Sequence, residues 1–206
     1  QRLLCIFLFI PLLSGCGIQR SLPLPFGKPM TEDDEARISR DFRREAKNHL
    51  ELVRNPEVNR YIDKVARRIL AVMGPQPFEY RFFVIKNSQL NAFAVPGGSI
   101  YVHTGLIERV SSTDELAGVL GHEIIHVKSR HISRMSGPDP ISLLGLLGVF
   151  LAVGGPQAQA AGALSQGLAA TRQLSYSRKM EQEADTLGVK YMAEAGYDPR
   201  GAMRFL

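Results

Sequence analysis

The chain has two cysteines among its 206 residues, Cys5 and Cys16, so nothing after Cys16 can close a disulfide within the domain that follows. That excludes a disulfide framework and leaves a hydrophobic core, with or without a metal, to hold the domain together. The length suffices for one such core. Also absent is an apolar run of about twenty residues, the length a helix needs to span a bilayer. The two best candidates, residues 3–15 and 141–153, have thirteen residues each. The net charge is a modest +5 with the basic residues scattered, and no nucleic-acid motif is present. Nucleic acid is therefore not expected as a partner.

What the sequence does have is His122-Glu123-Ile124-Ile125-His126. In a helix, residues four apart share a face, so His122 and His126 can offer ring nitrogens to one metal ion. Glu123 projects about 100° away from His122, placed to reach a water at the metal without ligating the ion. Two His leave a tetrahedral zinc site one protein ligand short. Glu181 and Asp185, one turn apart in Glu181-Gln182-Glu183-Ala184-Asp185, supply a candidate third ligand and a candidate acceptor for the outer N–H of a ligating His. Ser112-Thr113-Asp114-Glu115 reads as a capping-box start. Leu116, Val119, Leu120, Ile124 and Val127 then make the helix largely buried, a costly setting for two His and a Glu unless something satisfies them. His131, about 140° around a continuing helix from His126, is poorly aligned for the same metal and suits an outer or packing role. His103, at a strand end, and His49, in a charged helix, have no partner at ligand spacing.

Around this motif the chain resembles the HtpX-like and BepA-like zinc metallopeptidases of the gluzincin type. The resemblance rests on His122–His126 together with Asn91-Ala92-Phe93-Ala94-Val95-Pro96-Gly97-Gly98, Arg130-His131, Tyr176-Ser177-Arg178, Glu181 to Asp185 and Ala195-Gly196-Tyr197-Asp198-Pro199. It implies an endopeptidase with one zinc per chain, held by His122, His126 and Glu181, with Glu123 as general base. It also implies a peptide-binding strand over Asn91, Ala92, Phe93 and Ala94, a role an exposed strand edge can fill through main-chain hydrogen bonds. Tyr176 and Arg178, near the third ligand, are candidate oxyanion stabilisers. By the same resemblance the substrates are polypeptides, unfolded or stalled envelope proteins. The competing reading is a chaperone or assembly factor that captures extended clients with little or no cleavage.

The expected fold is α+β: a mostly helical zincin-type domain with a small β-sheet beside the H-E-x-x-H helix. Aromatic and β-branched content predicts strands over Tyr80 to Ile85, Leu90 to Val95 and Ser99 to His103, the last two flanking the turn Pro96-Gly97-Gly98. Helices are predicted from Thr31, whose acidic followers suit a helix N-terminus, and from Pro56 to Val72. Residues 141–153 and the Ala- and Gly-rich 157–170 read as two helices over the core or the site rim.

At the front, Arg2 and the apolar stretch 3–15 suit a signal-peptide core, and Leu13-Ser14-Gly15-Cys16 resembles a bacterial lipobox. That resemblance implies cleavage before Cys16 and lipidation of Cys16. Gly17, where an Asp would signal inner-membrane retention, favours an outer-membrane anchor facing the periplasm. The expected organisation is a signal peptide over 1–15, a lipidated Pro-containing tether over 16–30 and a metallopeptidase domain over 31–206. Gln at position 1 and the helix still running at Leu206 suggest a piece of a longer chain.

Overall fold

The computed structural model describes residues 30–135 and 176–205. The expected leader, the expected tether up to residue 29, Cys16 and the helices expected within 141–170 lie outside them. The first helix, α1 (Glu32–His49), opens with a capping box in which Thr31 accepts from the Asp34 N–H and Asp34 bonds back to Thr31. The second, α2 (Pro56–Val72), starts where Pro is tolerated, with Asn55 as N-cap, and spans the predicted residues. Its Ile62, Val65, Ala66 and Ile69 are buried at helical spacing.

Three strands follow: β1 (Arg81–Ile85), β2 (Ala92–Val95) and β3 (Ser99–His103). Their order is β1-β3-β2, with β1 parallel and β2 antiparallel to β3. Strand β3 is buried along its whole length because both faces of the sheet are covered. Phe83, Ile85, Phe93, Val95 and Tyr101 pack with Ile38 and Phe42 of α1 on one side. Phe82, Val84, Ala92, Ala94, Ile100 and Val102 face the main core with α2 and the metal-motif helix on the other. This alternation follows directly from the period of two along a strand. On the α1 side the ring of Tyr101 stacks between Phe83 and Phe93, with centroids 5.0 and 5.1 Å away, and meets Phe42 edge-on. Between β2 and β3, Gly97 takes φ +83° and lies against the Glu35 carbonyl, where an added Cβ would come within 2.2 Å. The turn thus needs glycine for its backbone angle and for the approach of α1.

Helix α3 (Thr104–Arg109) leads to α4 (Thr113–Lys128), which carries the motif. Ser112 caps α4 by accepting from the Glu115 N–H. The expected reciprocal bond is displaced by one residue: the Glu115 carboxylate accepts from the Ser111 N–H, not from Ser112. Helix α4 is buried on nearly all sides, from Glu115 to Val127. It does not continue to His131. Ser129 ends it, Arg130 adopts left-handed backbone (φ 52°, ψ 42°), and the short α5 (His131–Arg134) sets off in a new direction. Arg130 is tied down by bonds to the Met30 carbonyl and to Glu35, itself 1% exposed.

The last two helices are α6 (Arg178–Glu194) and α7 (Arg200–Phe205). Ser177 caps α6, and Gly196 at φ +78° lets the chain turn after it. Helix α6 crosses α4 at Gly121 and Gly188, so the two backbones come into contact there. Among the described residues no helix is long and apolar enough to cross a membrane. The architecture is the expected one, mostly helical with a small mixed sheet beside the motif helix.

Candidate metal centre

Helix α4 presents His122 and His126 on one face, and the crossing with α6 brings Glu181 opposite them. The two Nε2 atoms lie 2.9 Å apart, and Glu181 oxygens stand 3.6 Å from the His122 Nε2 and 3.8 Å from the His126 Nε2. Ligand atoms 2.0–2.1 Å from a tetrahedral ion are roughly 3.3 Å from one another, and these separations bracket that value. Two ring nitrogens at 2.9 Å also require a proton or a cation between their lone pairs. Of the described residues, these three form a group whose donor atoms converge in this way, all within 4.8 Å. The donor set, two imidazoles and one carboxylate, fits zinc.

Each ring is held from behind. The His122 Nδ1–H donates to Asp185, one turn on from Glu181, at 2.8 Å. The His126 Nδ1 meets the Nδ1 of His131 at 2.9 Å, and the Tyr176 ring stacks on the His126 ring with centroids 3.9 Å apart. His131 therefore sits beside His126, and the expected 140° separation does not hold, because the break at Arg130 swings α5 back. Burial, reinforced by the neighbouring His122 and His131, pushes the His126 imidazole down to about 3, so it is neutral and has a lone pair to donate.

Glu123 lies beside this group, 9% exposed. Burial pushes its carboxyl up to about 7, with the Glu181 charge acting in the same direction. His122 and a hydrogen bond from the Ala94 backbone oppose that rise. Ala94 belongs to β2, the sheet edge nearest α4, so the main chain of that edge reaches the Glu123 carboxylate. Of the other predicted residues, Asn91 precedes β2 while Ala92 and Phe93 lie in it. Burial raises the Tyr176 phenol, as do the charges of Glu123 and Glu181. Arg178 is exposed at the first position of α6. His103 is buried at the end of β3 and His49 is paired with Glu45 on the surface of α1.

Sequence reasoning passed over Glu183. Its carboxylate accepts from the Ser129 hydroxyl and from Arg134, and faces the His131 Nε2 at 3.4 Å. The available signal was spacing: Glu183 follows Glu181 by two residues, on another face of the same helix.

The chain matches curated proteins over most of its length. It is 32% identical to the beta-barrel assembly-enhancing protease of Yersinia pestis, with 95% of this chain and 43% of that protein aligned. Identity is again 32% to the protein of that name from Escherichia coli (strain K12), over 87% of this chain and 38% of the relative. It is 35% identical to the mitochondrial metalloendopeptidase OMA1 of Schizosaccharomyces pombe, over 69% of this chain and 41% of that protein. The chain thus spans less than half the length of these relatives. The sequence model of Peptidase family M48 matches residues 53–206, from just before α2 through all the residues of the candidate metal centre, and the chain belongs to that family.

Proposed function

We propose that the chain is a zinc-dependent endopeptidase domain, with His122, His126 and Glu181 as the metal ligands and Glu123 as general base. The observation that carries this reading is the convergence of those three donors beside the buried carboxylate of Glu123. A zinc ion bound there would polarise the scissile carbonyl and acidify the attacking water. Glu123, buried beside the triad, takes the proton from that water and passes it to the leaving amine. Asp185 holds His122 in the tautomer that leaves its Nε2 free. Edge strand β2, with Asn91 to Ala94, receives the substrate as an added extended strand, so recognition falls on the main chain and tolerates varied side chains. Tyr176, whose ring stacks on His126, is the better-sited candidate to stabilise the oxyanion. Arg178 remains the alternative.

The substrates we propose are unfolded or stalled envelope proteins, in keeping with relatives named as beta-barrel assembly-enhancing proteases. In this reading Cys16 carries a lipid that tethers the domain to the outer membrane on its periplasmic side. A domain that only captured clients would have no use for a buried carboxylate beside an open metal position, so Glu123 favours cleavage. The test is digestion of unfolded casein by the metal-loaded protein and by Glu123→Gln, with metal content measured on both. The expected result is one zinc per chain in each and a fall in kcat of about 10²–10⁴ in the variant. Equal cleavage by the two proteins would contradict the assignment of the base.

A further inference from the structure

His131 is fully buried, and the roles proposed above do not use it. Its Nδ1 faces the Nδ1 of His126 at 2.9 Å, and its Nε2 faces Glu183 at 3.4 Å, at the long end of hydrogen-bonding distance. That Nε2 has no better partner among the described residues. One proton arrangement is consistent with these contacts and with a metal at the triad. The His126 Nε2 must keep its lone pair for the ion, so the proton of that neutral ring is on Nδ1. It is donated to the His131 Nδ1, which must then be unprotonated. The His131 proton is on Nε2 and points at the Glu183 carboxylate. Glu183 is itself fixed by Ser129, the C-cap of α4, and by Arg134 of α5.

Resting on the reading of the triad as a metal site, we infer that His131 and Glu183 are positioning residues, a carboxylate–imidazole relay that sets the tautomer and ring orientation of His126. The two ligand rings are then held alike, His122 by a carboxylate directly and His126 by a carboxylate through one intervening imidazole. His126 is on the buried side of α4, where its side chain is 1% exposed, against 12% for His122, and the intermediary spans that depth. A carboxylate at that depth would be costly. His131 carries the hydrogen bond outward to Glu183, which keeps partial contact with solvent, its side chain 33% exposed. The left-handed Arg130 is the hinge that makes this possible, since a helix continuing through residue 131 would point the imidazole elsewhere.

The test is the zinc dissociation constant of the full chain, measured by competition with a chromophoric chelator. His131→Leu fills the buried space without an acceptor, and His131→Asn offers an amide oxygen where Nδ1 stood. His131→Leu is expected to weaken binding about 10–100-fold, the usual cost of losing such a partner, and His131→Asn to recover most of it. Glu183→Gln is expected to weaken binding in the same direction by less. Wild-type affinity in His131→Leu overturns the relay, as does an equal loss in the Leu and Asn variants, which would make His131 packing alone. Should His131→Leu fail to fold by circular dichroism, Glu183→Gln decides, and an unchanged constant there overturns the relay. Failure of the triad itself gives a different result: no stoichiometric zinc in the wild type, or none lost in His122→Ala.

Discussion

At the scale of single residues, the centre is built from groups that would be costly to bury unless each served another. His126 is neutral because it is buried among other imidazoles, and Glu123 is held near 7 because its carboxylate has little solvent. Asp185 is the simplest of these supports to remove. It is half-exposed and makes one short contact, 2.8 Å to the His122 Nδ1. Asp185→Ala is expected to leave folding intact and weaken zinc binding about 10–100-fold, read by chelator competition beside a thermal melt. Much of this was legible in the sequence, since His122, Glu123, His126, Glu181 and Asp185 all declare themselves by helical spacing. Glu183 and the placement of His131 were not legible. Both depend on a left-handed residue at 130, and Arg is not a residue type that signals such a turn.

At the scale of elements, the centre depends on how closely α4 and α6 approach. Gly188 lies against the backbone of the motif helix, where an added Cβ would come within 2.9 Å of the His122 nitrogen and 3.1 Å of the Gly121 carbonyl carbon. Both obstacles are backbone, so neither can rotate away. Gly188→Ala is expected to push α6 outward, carrying Glu181 and Asp185 from the rings. The variant should lose zinc affinity and melt at lower temperature, whereas Lys190→Ala, an exposed change one residue beyond Val189 on the same helix, should do neither. Wild-type zinc affinity in Gly188→Ala would show that the crossing has slack. The elements themselves were largely readable. Helix α2 was found at its true bounds, and all three strands were found within a residue or two. The parallel pairing of β1 with β3 was less accessible, because strand periodicity says which face is buried and nothing about which neighbour a strand chooses.

At the scale of the whole molecule, the sheet is enclosed by α1 on one face and by α2 and α4 on the other, and buried imidazoles are part of that enclosure. Burial holds His103, His126 and His131 below the ordinary histidine range. For each, the folded pKa is lower than the unfolded value of about 6.5, so below that pH the unfolded chain binds protons the fold refuses. The stability is therefore complete above about pH 6.5 and declines as pH falls toward the folded values. Between pH 7 and pH 5 these three rings lower the melting temperature of the metal-free protein, while Glu123, held up to about 7, opposes them by gaining its proton over the same range. His103 is outside the metal centre, beside Phe93, with its Nδ1 unpaired among the described residues. His103→Phe should therefore shrink that decline without altering zinc affinity. An identical pH dependence of the melt in His103→Phe and in the unaltered metal-free protein would contradict the burial of that ring.

The most direct test of the central claim is to locate the metal, by anomalous diffraction at the zinc edge from crystals of the zinc-loaded protein. The account predicts one strong peak, about 2.0–2.2 Å from the Nε2 atoms of His122 and His126 and from a Glu181 oxygen, with Glu123 beside it and not bound to it. A peak ligated by Glu123, or one lying away from Glu181, would contradict it.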